Sequence, residues 1–392
     1  MLVSIGLILF LGVVIDQICK KSKIPSLVGF IILGIILGPS GFNLLDSTIL
    51  AISADIRQII LIIILTRAGL SLNLKDLKKV GRPAVLLSFL PATFEIIGTM
   101  IFAPIFLGFS ILEAALLGAI LGAVSPAVVV PRMITLIQEK YGTQKRIPQL
   151  LLAGSSVDDI YGLVLFYSFL TLLQSGQFHV LSLLDIPVSI VSGIVVGVLS
   201  GYVLATVFKR SNLIPIIQVL IMLSISLGLV SIEAIFINLP FSGILAVMAM
   251  AIILFRQLPL ESNNIAKIYN KLWIPGEMFL FTLVGASVNV SFAFSEGWLP
   301  ILVVLLALII RMLGVYVSLM GTQLSAKEQL FCLIAYSPKA TVQAAIGSIP
   351  LALGLISGEL ILTVSVLAIL ITAPFGAFGM DLSYKYLLSK EE

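Results

Sequence analysis

Apolar runs of about 17 to 25 residues, the length an α-helix needs to cross roughly 30 Å of hydrocarbon, recur from one end of this chain to the other. Thirteen can be placed, at 2–19, 24–39, 56–73, 83–107, 112–137, 147–174, 183–208, 213–231, 239–256, 272–290, 298–321, 326–350 and 357–380. A chain of 392 residues that is 59% hydrophobic and 11% charged has more apolar surface than a soluble core can use, so it reads as an all-α polytopic membrane protein. The first run ends in Cys19-Lys-Lys-Ser-Lys23 without a small-residue cleavage site and is expected to be a retained span. Cys19 and Cys332 share no motif and read as small apolar fillers.

The basic residues give these spans a direction. Of 23 lysines and arginines, nineteen fall to the loops after odd-numbered spans and the C-terminal tail, Arg132, Lys267 and Lys271 among them. Loops after even-numbered spans hold only Arg57. Basic loops stay in the cytoplasm, so the N-terminus is expected outside and the C-terminus inside. His179 falls in an outer loop and reads as a solvated residue.

Three basic residues remain, Arg67, Arg311 and Lys339. Arg67 lies toward the cytoplasmic end of its span and can snorkel to the surface. Arg311 and Lys339 cannot, and they share a depth with Glu95, Asp158 and Asp159. Each of these five stands roughly eleven to fourteen residues into its span, near the bilayer midplane at about 1.5 Å per residue. A charge there costs about 2.5 to 3.5 kcal/mol on insertion scales, so five at one depth mark a functional site.

An internal repeat points to the same depth. Ala123-Val-Ser-Pro-Ala-Val-Val-Val130 and Ala335-Tyr-Ser-Pro-Lys-Ala-Thr-Val342 match at an offset of 212 residues. Gly69-Leu-Ser-Leu-Asn73 with Gly285-Ala-Ser-Val-Asn289, and Pro25 with Pro240, keep nearly that offset. Seven spans separate the partners, and an odd number reverses orientation in the membrane. The chain thus reads as six spans, a linker span and six inverted spans. Pro126, Pro131 and Pro338 remove backbone donors and are expected to break their helices, freeing carbonyls and amides at mid-membrane depth.

Three carboxylates and two cations leave one negative charge, which a single bound cation or proton neutralises. Na+ takes oxygen ligands. The carboxylates of Asp158 and Asp159, the hydroxyls of Ser125, Ser155, Ser156 and Thr341, and the freed carbonyls can supply them, and a proton competes for the same carboxylate oxygens. Adjacent helix positions differ by about 100°, so one aspartate is expected to face the ion and the other a basic helix face.

Ser156-Val-Asp-Asp159, Ser125-Pro-Ala-Val-Val-Val-Pro131, Arg67-Ala-Gly-Leu70 and Pro338-Lys-Ala-Thr-Val-Gln343 together resemble the monovalent cation/proton antiporter superfamily. The likeness is nearest to NHA-type Na+/H+ antiporters with a double-aspartate motif, in a bacterial-sized version, and it covers nearly the whole chain. It implies the NhaA-like antiporter fold: thirteen transmembrane helices, two inverted six-helix repeats joined by a linker helix, and crossed broken helices. It also implies a homodimer in a bacterial-type plasma membrane, with no cofactor beyond the transported Na+ or Li+ and H+. The dimerisation domain would comprise 1–82 and 211–296, the core ion-transport domain 83–180 and 297–392, and the linker 181–210, the core moving elevator fashion. Asp159 would be the principal carrier of Na+ and H+, with Asp158 its partner.

One position departs from the electrogenic double-aspartate relatives, which carry lysine where this chain has Arg311. A desolvated lysine can release its proton and an arginine cannot, so Arg311 is expected to be a permanent counter-charge to Glu95 or Asp158; the relatives' proton stoichiometry does not carry over, and both electrogenic and electroneutral exchange stay open. Glu95 and Arg311 read equally as a pair that only holds helices in register. Lys339 is expected to neutralise half-helix C-terminal dipoles. A K+/H+ antiporter of the same fold is the nearest alternative. An intramembrane aspartyl protease would need Tyr-Asp and Gly-x-Gly-Asp contexts on separate helices, and the chain has neither.

Overall fold

A computed structural model describes residues 1–71, 81–175, 182–211, 213–235 and 241–391. Asn73, Lys75, Lys78, Lys79, His179 and Pro240 lie outside these residues, as does the side chain of Ser156. Helices dominate the described residues. The first nine are α1 (Leu2–Lys21), α2 (Ser26–Leu37), α3 (Ser47–Ala51), α4 (Ser53–Ser71), α5 (Arg82–Leu87), α6 (Leu90–Leu107), α7 (Ile111–Leu121), α8 (Pro126–Gln138) and α9 (Ile147–Ser175). There follow α10 (Ser182–Arg210), α11 (Pro215–Ile235), α12 (Gly243–Gln257), α13 (Pro259–Ala286), α14 (Val290–Ser295), α15 (Leu299–Leu319), α16 (Ala326–Ala335), α17 (Thr341–Ile346), α18 (Ile349–Ala352) and α19 (Gly358–Leu387).

Helix occupies the described part of each apolar run, but several runs are not one continuous piece. Among the described residues eight helical stretches are long and apolar enough to cross a membrane, and Ser26–Leu37, Gly243–Gln257 and Thr341–Ala352 are shorter apolar helices. The run at 83–107 is divided: α5 ends as the Ser88 hydroxyl donates back to the Ala84 carbonyl at 2.8 Å, and α6 restarts with Pro91 in its first turn. Lys267 and Lys271, expected in a loop, are helical because α13 begins at Pro259, well before the apolar run. Arg132 likewise lies on α8, where its guanidinium pairs with Asp381 at 2.8 Å.

The described residues form two compact units. One is drawn from Asp55–Asn73 and Gln174–Glu277. In it α10 packs along α12, and α11 packs on α12 as well. Arg67, expected to snorkel, is half-buried and places its guanidinium 5.8 Å from the centroid of the Trp273 ring, a cation–π contact.

The other unit is drawn from Met1–Ala54, Leu74–Leu173 and Met278–Glu392. Here α6 lies between α7 and α15, while α15, α16, α17, α18 and α8 all pack on the long α19. Two of its short helices open alike. Ser110 accepts the Glu113 amide at 3.3 Å while Glu113 takes the Ser110 amide at 2.9 Å; Ser325 and Glu328 repeat this at 3.4 and 2.7 Å. This reciprocal box satisfies amide donors that a helix start otherwise leaves unpaired. Both helices then stop just before a Ser-Pro pair.

The three prolines behave differently because they fall at different points along the backbone. Pro126 sits in the first turn of α8, where its missing donor is not needed. Pro338 sits in the non-helical stretch 337–340. Pro131, expected to break its helix, does not: α8 runs through it to Gln138, since the ring removes a single bond back to the first turn.

Candidate functional site

The site is built where α7 and α16 stop. A helix end leaves its last carbonyls without intrahelical partners, and those carbonyls carry the negative end of the helix dipole. The carbonyls at the end of α7 are met by side chains from elsewhere. Lys339 Nζ donates to Leu121 O at 2.6 Å, and Gln343 Nε2 donates to Ile120 O at 3.0 Å and Ala123 O at 2.9 Å. Arg311 Nη1 donates to Gly122 O, and its Nε to Tyr336 O at 3.0 Å just past the end of α16. The two breaks also touch directly, the Ser125 amide donating to Pro338 O at 2.8 Å. Helix α19 backs the second break: Thr372 Oγ1 accepts the Lys339 amide at 3.0 Å, and a Cβ on Gly376 would collide with the Pro338 ring.

Four charged side chains from distant parts of the chain meet at these ends. Arg311 Nη1 lies 3.0 Å from Glu95 Oε2 and Nη2 lies 2.9 Å from Asp158 Oδ2. Lys339 Nζ is 2.6 Å from each Glu95 oxygen. Asp158 Oδ2 also accepts the Val124 amide at 2.9 Å. The Tyr336 ring lies against the guanidinium, 5.7 Å from its carbon to the ring centroid, and the tyrosine hydroxyl rests where a Cβ on Gly154 would be. Two carboxylates and two cations thus form a neutral, hydrogen-bonded cluster. Without such pairing each buried ion would cost several kcal/mol.

Asp159 follows Asp158 on α9 but stands outside this pairing. It is 6% exposed, whereas Glu95, Asp158, Arg311 and Lys339 are all at 0%, so it is the member of the five that keeps some access. Among the described residues its Oδ1 has no hydrogen-bond partner, and the same holds for Asp158 Oδ1, Ser125 Oγ and Thr341 Oγ1. Ser125 is the N-cap of α8, a position at which a serine hydroxyl ordinarily accepts a backbone amide, and here it does not.

The sequence-predicted residues therefore fall into distinct groups. Glu95, Asp158, Arg311 and Lys339 are in direct contact; Asp159 and Thr341, close to Asp158 and Lys339 in the chain, and Ser125, bonded through its amide to Pro338 O, offer unpartnered oxygens. Ser155 turns to its own helix, its hydroxyl donating to Leu152 O at 3.2 Å. Two contributors were not singled out from the sequence, Gln343 and Tyr336. The signal for Gln343 was present, an amide one helical turn beyond Lys339 in an otherwise apolar stretch.

The family described as sodium/hydrogen exchanger, transmembrane, matches residues 6–380. Sodium/hydrogen exchanger 9B2 of Homo sapiens is 34% identical over 358 residues, which cover 87% of this chain and 65% of that protein. Sodium/hydrogen exchanger 9B1 of Homo sapiens is 34% identical over 351 residues, covering 86% of this chain and 67% of the relative. This chain thus spans about two thirds of the length of these relatives. In fold it is similar to the sodium proton antiporter MjNhaP1 from Methanocaldococcus jannaschii, with a TM-score of 0.84 at 22% identity over 98% of this chain and 97% of that one.

Proposed function

This chain belongs to the sodium/hydrogen exchanger family, and we propose that it exchanges Na+ or Li+ for H+ across the membrane that holds it. One observation carries this reading: Glu95, Asp158, Arg311 and Lys339 balance one another, leaving Asp159 as the member of these five without a charge partner among the described residues. A lone carboxylate in a low-dielectric site is held there by binding something positive. A proton does this, and so does a hard monovalent cation. For the cation, the unpartnered oxygens of Asp159, Asp158, Ser125 and Thr341 are ligands of the right kind. The two cannot be held at once, and that mutual exclusion couples their movement.

The same balance implies the stoichiometry. Arg311 keeps its proton and is bonded to both Glu95 and Asp158, so in this reading it takes no part in the proton count. Asp159 carries one Na+ in one direction and one H+ in the other, and the site is neutral on both journeys. With Lys339 also keeping its proton, held between Glu95 and Leu121 O, exchange is then electroneutral. The remaining parts of the reading are thirteen spans in two inverted six-helix repeats, crossed broken helices of the NhaA-like kind, and a homodimer in a plasma membrane. In it a core of 83–180 and 297–392 moves elevator fashion against 1–82 and 211–296, with 181–210 as the linker, the N-terminus outside and the C-terminus cytoplasmic. The contact of the two Ser-Pro breaks supports the crossing. The positive-inside pattern supports the orientation.

The test is Na+- and Li+-driven pH change in proteoliposomes, with and without an imposed membrane potential. Wild type should exchange at a rate that ignores the potential, and Asp159→Asn should show none. Lowering the pH should raise the apparent KM for Na+ by about tenfold per pH unit once protons dominate the site, without changing the maximal rate, as direct competition requires. Undiminished exchange in Asp159→Asn would remove the central assignment, and a rate that follows the potential would remove the one-for-one count.

A further inference from the structure

We infer that Gln343 is a positioning residue of the cation site, acting on Asp158 through a single peptide group. The inference rests on the exchange reading above. The Ala123 carbonyl and the Val124 amide belong to the same peptide unit. Its oxygen accepts from Gln343 Nε2 at 2.9 Å, and its N–H donates to Asp158 Oδ2 at 2.9 Å. A peptide unit is planar and trans, so its C=O and N–H point in opposite directions and turn together. Holding the oxygen on one side fixes where the N–H points on the other. Hydrogen bonds in such a chain also polarise one another, which strengthens the donation to the carboxylate.

The choice of an amide follows from the surroundings. Four consecutive carbonyls end α7, and each has a side-chain donor: Gln343 for Ile120 and Ala123, Lys339 for Leu121 and Arg311 for Gly122. Lys339 and Arg311 already balance Glu95 and Asp158. A third cation would upset that balance, whereas a glutamine donates twice and adds no charge. Nε2 makes its short bonds to Ile120 and Ala123 and a longer one, 3.4 Å, to Leu121 O, so the amide nitrogen faces the carbonyls. Gln343 is 1% exposed, so water is not a ready substitute for these donors. Its counterpart in the first half of the chain, at the offset of 212 residues, is Pro131, which has no such group.

The experiment uses the full chain, purified and reconstituted, with Gln343→Met and Gln343→Asn. Methionine keeps the length and removes both donors; asparagine keeps the amide but is one methylene short, so it reaches fewer carbonyls. Two readouts are taken, the Na+ dependence of exchange and the Na+ concentration that half-saturates the thermal stabilisation of the detergent-solubilised protein. Gln343→Met should raise both Na+ midpoints about tenfold while the maximal rate falls less than about threefold, and Gln343→Asn should lie between it and wild type. A residue that only supported the fold would lower the melting temperature and leave the Na+ midpoints where they are. Na+ midpoints within about twofold of wild type in whichever variants fold overturn the inference. Asp159→Asn, measured alongside, separates the two claims. If wild type itself shows no Na+ response, the exchange reading has failed; if wild type and Asp159→Asn behave as expected and the Gln343 variants match wild type, only the positioning role has failed.

Discussion

The two Ser-Pro breaks share a motif and a way of starting their helices, yet they bring opposite chemistry to the point where they meet. The first, after α7, presents the carbonyls of Ile120, Leu121, Gly122 and Ala123 and no charged side chain of its own. The second, after α16, sends Lys339 and Gln343 across to those carbonyls. At the matching positions of the first break stand Ala127 and Pro131. A backbone device is therefore present twice, while its donors are present once. The difference teaches that a repeat can duplicate helix ends without duplicating electrostatics. Had both breaks carried a lysine, the cluster would hold three cations against Glu95, Asp158 and Asp159, and no charge would be left for an ion to balance.

The largest test of this division is Lys339→Met. It leaves Glu95 with Arg311 as its remaining cation and takes from Leu121 O the nearer of its two side-chain donors, which should cost about 3 to 5 kcal/mol of stability, the usual penalty for breaking a buried ion pair from one side. Adding Glu95→Gln should restore part of that loss, by more than about 1 kcal/mol in a double-mutant cycle read from thermal or denaturant melts. Strictly additive costs would mean that the pair is not coupled, and the donor side of the second break would then be incidental.

A smaller effect compares how the two breaks are held. Gly376→Ala places a methyl against the Pro338 ring and should cost about 1 to 3 kcal/mol by overpacking. Pro126→Ala changes the first turn of α8, where alanine serves nearly as well, and should stay within about 1 kcal/mol. Equal costs would erase the distinction between a break set by its own helix start and one wedged by a neighbour.

The smallest effect concerns the matched caps. Ser110→Ala and Ser325→Ala should each cost about 1 kcal/mol. Glu328→Ala should exceed Glu113→Ala by up to about 1 kcal/mol, because Glu328 also pairs with the partly exposed Lys145 at 2.8 Å. Identical losses would show that this half-buried pair adds nothing and that the two caps are equivalent.

Much of the site was legible because charge in an apolar run is expensive. Glu95, Asp158, Asp159, Arg311 and Lys339 stood out for that reason alone. Gln343 did not, since an amide in an apolar helix draws little notice and its targets come into being only where α7 ends. Arg311 was readable as a partner of Glu95 or of Asp158; it bonds both, because a guanidinium has enough donors in one plane to do so. Ser155 and Ser125 were indistinguishable as hydroxyls in sequence. Ser155 lies inside α9 and bonds back one turn, whereas Ser125 precedes α8 and has no carbonyl of a preceding turn to take. The Ser-x-x-Glu boxes at Ser110 and Ser325 are legible in the sequence as helix starts.

By itself the sequence determined that this chain is helical, that its apolar runs belong in a membrane, and that the few charges inside those runs stand at similar distances from the starts of their runs. Those properties follow from residue type and spacing, which act over one helix at a time. The division of labour among the charges was decided only by the tertiary structure. Arg311 meets Asp158 across 153 residues and Glu95 across 216, and Lys339 meets Glu95 across 244. No local pattern encodes those meetings. They depend on how three separate helices and the non-helical stretch after α16 face one another, and that arrangement is what pairs Asp158 and leaves Asp159 Oδ1 without a partner among the described residues.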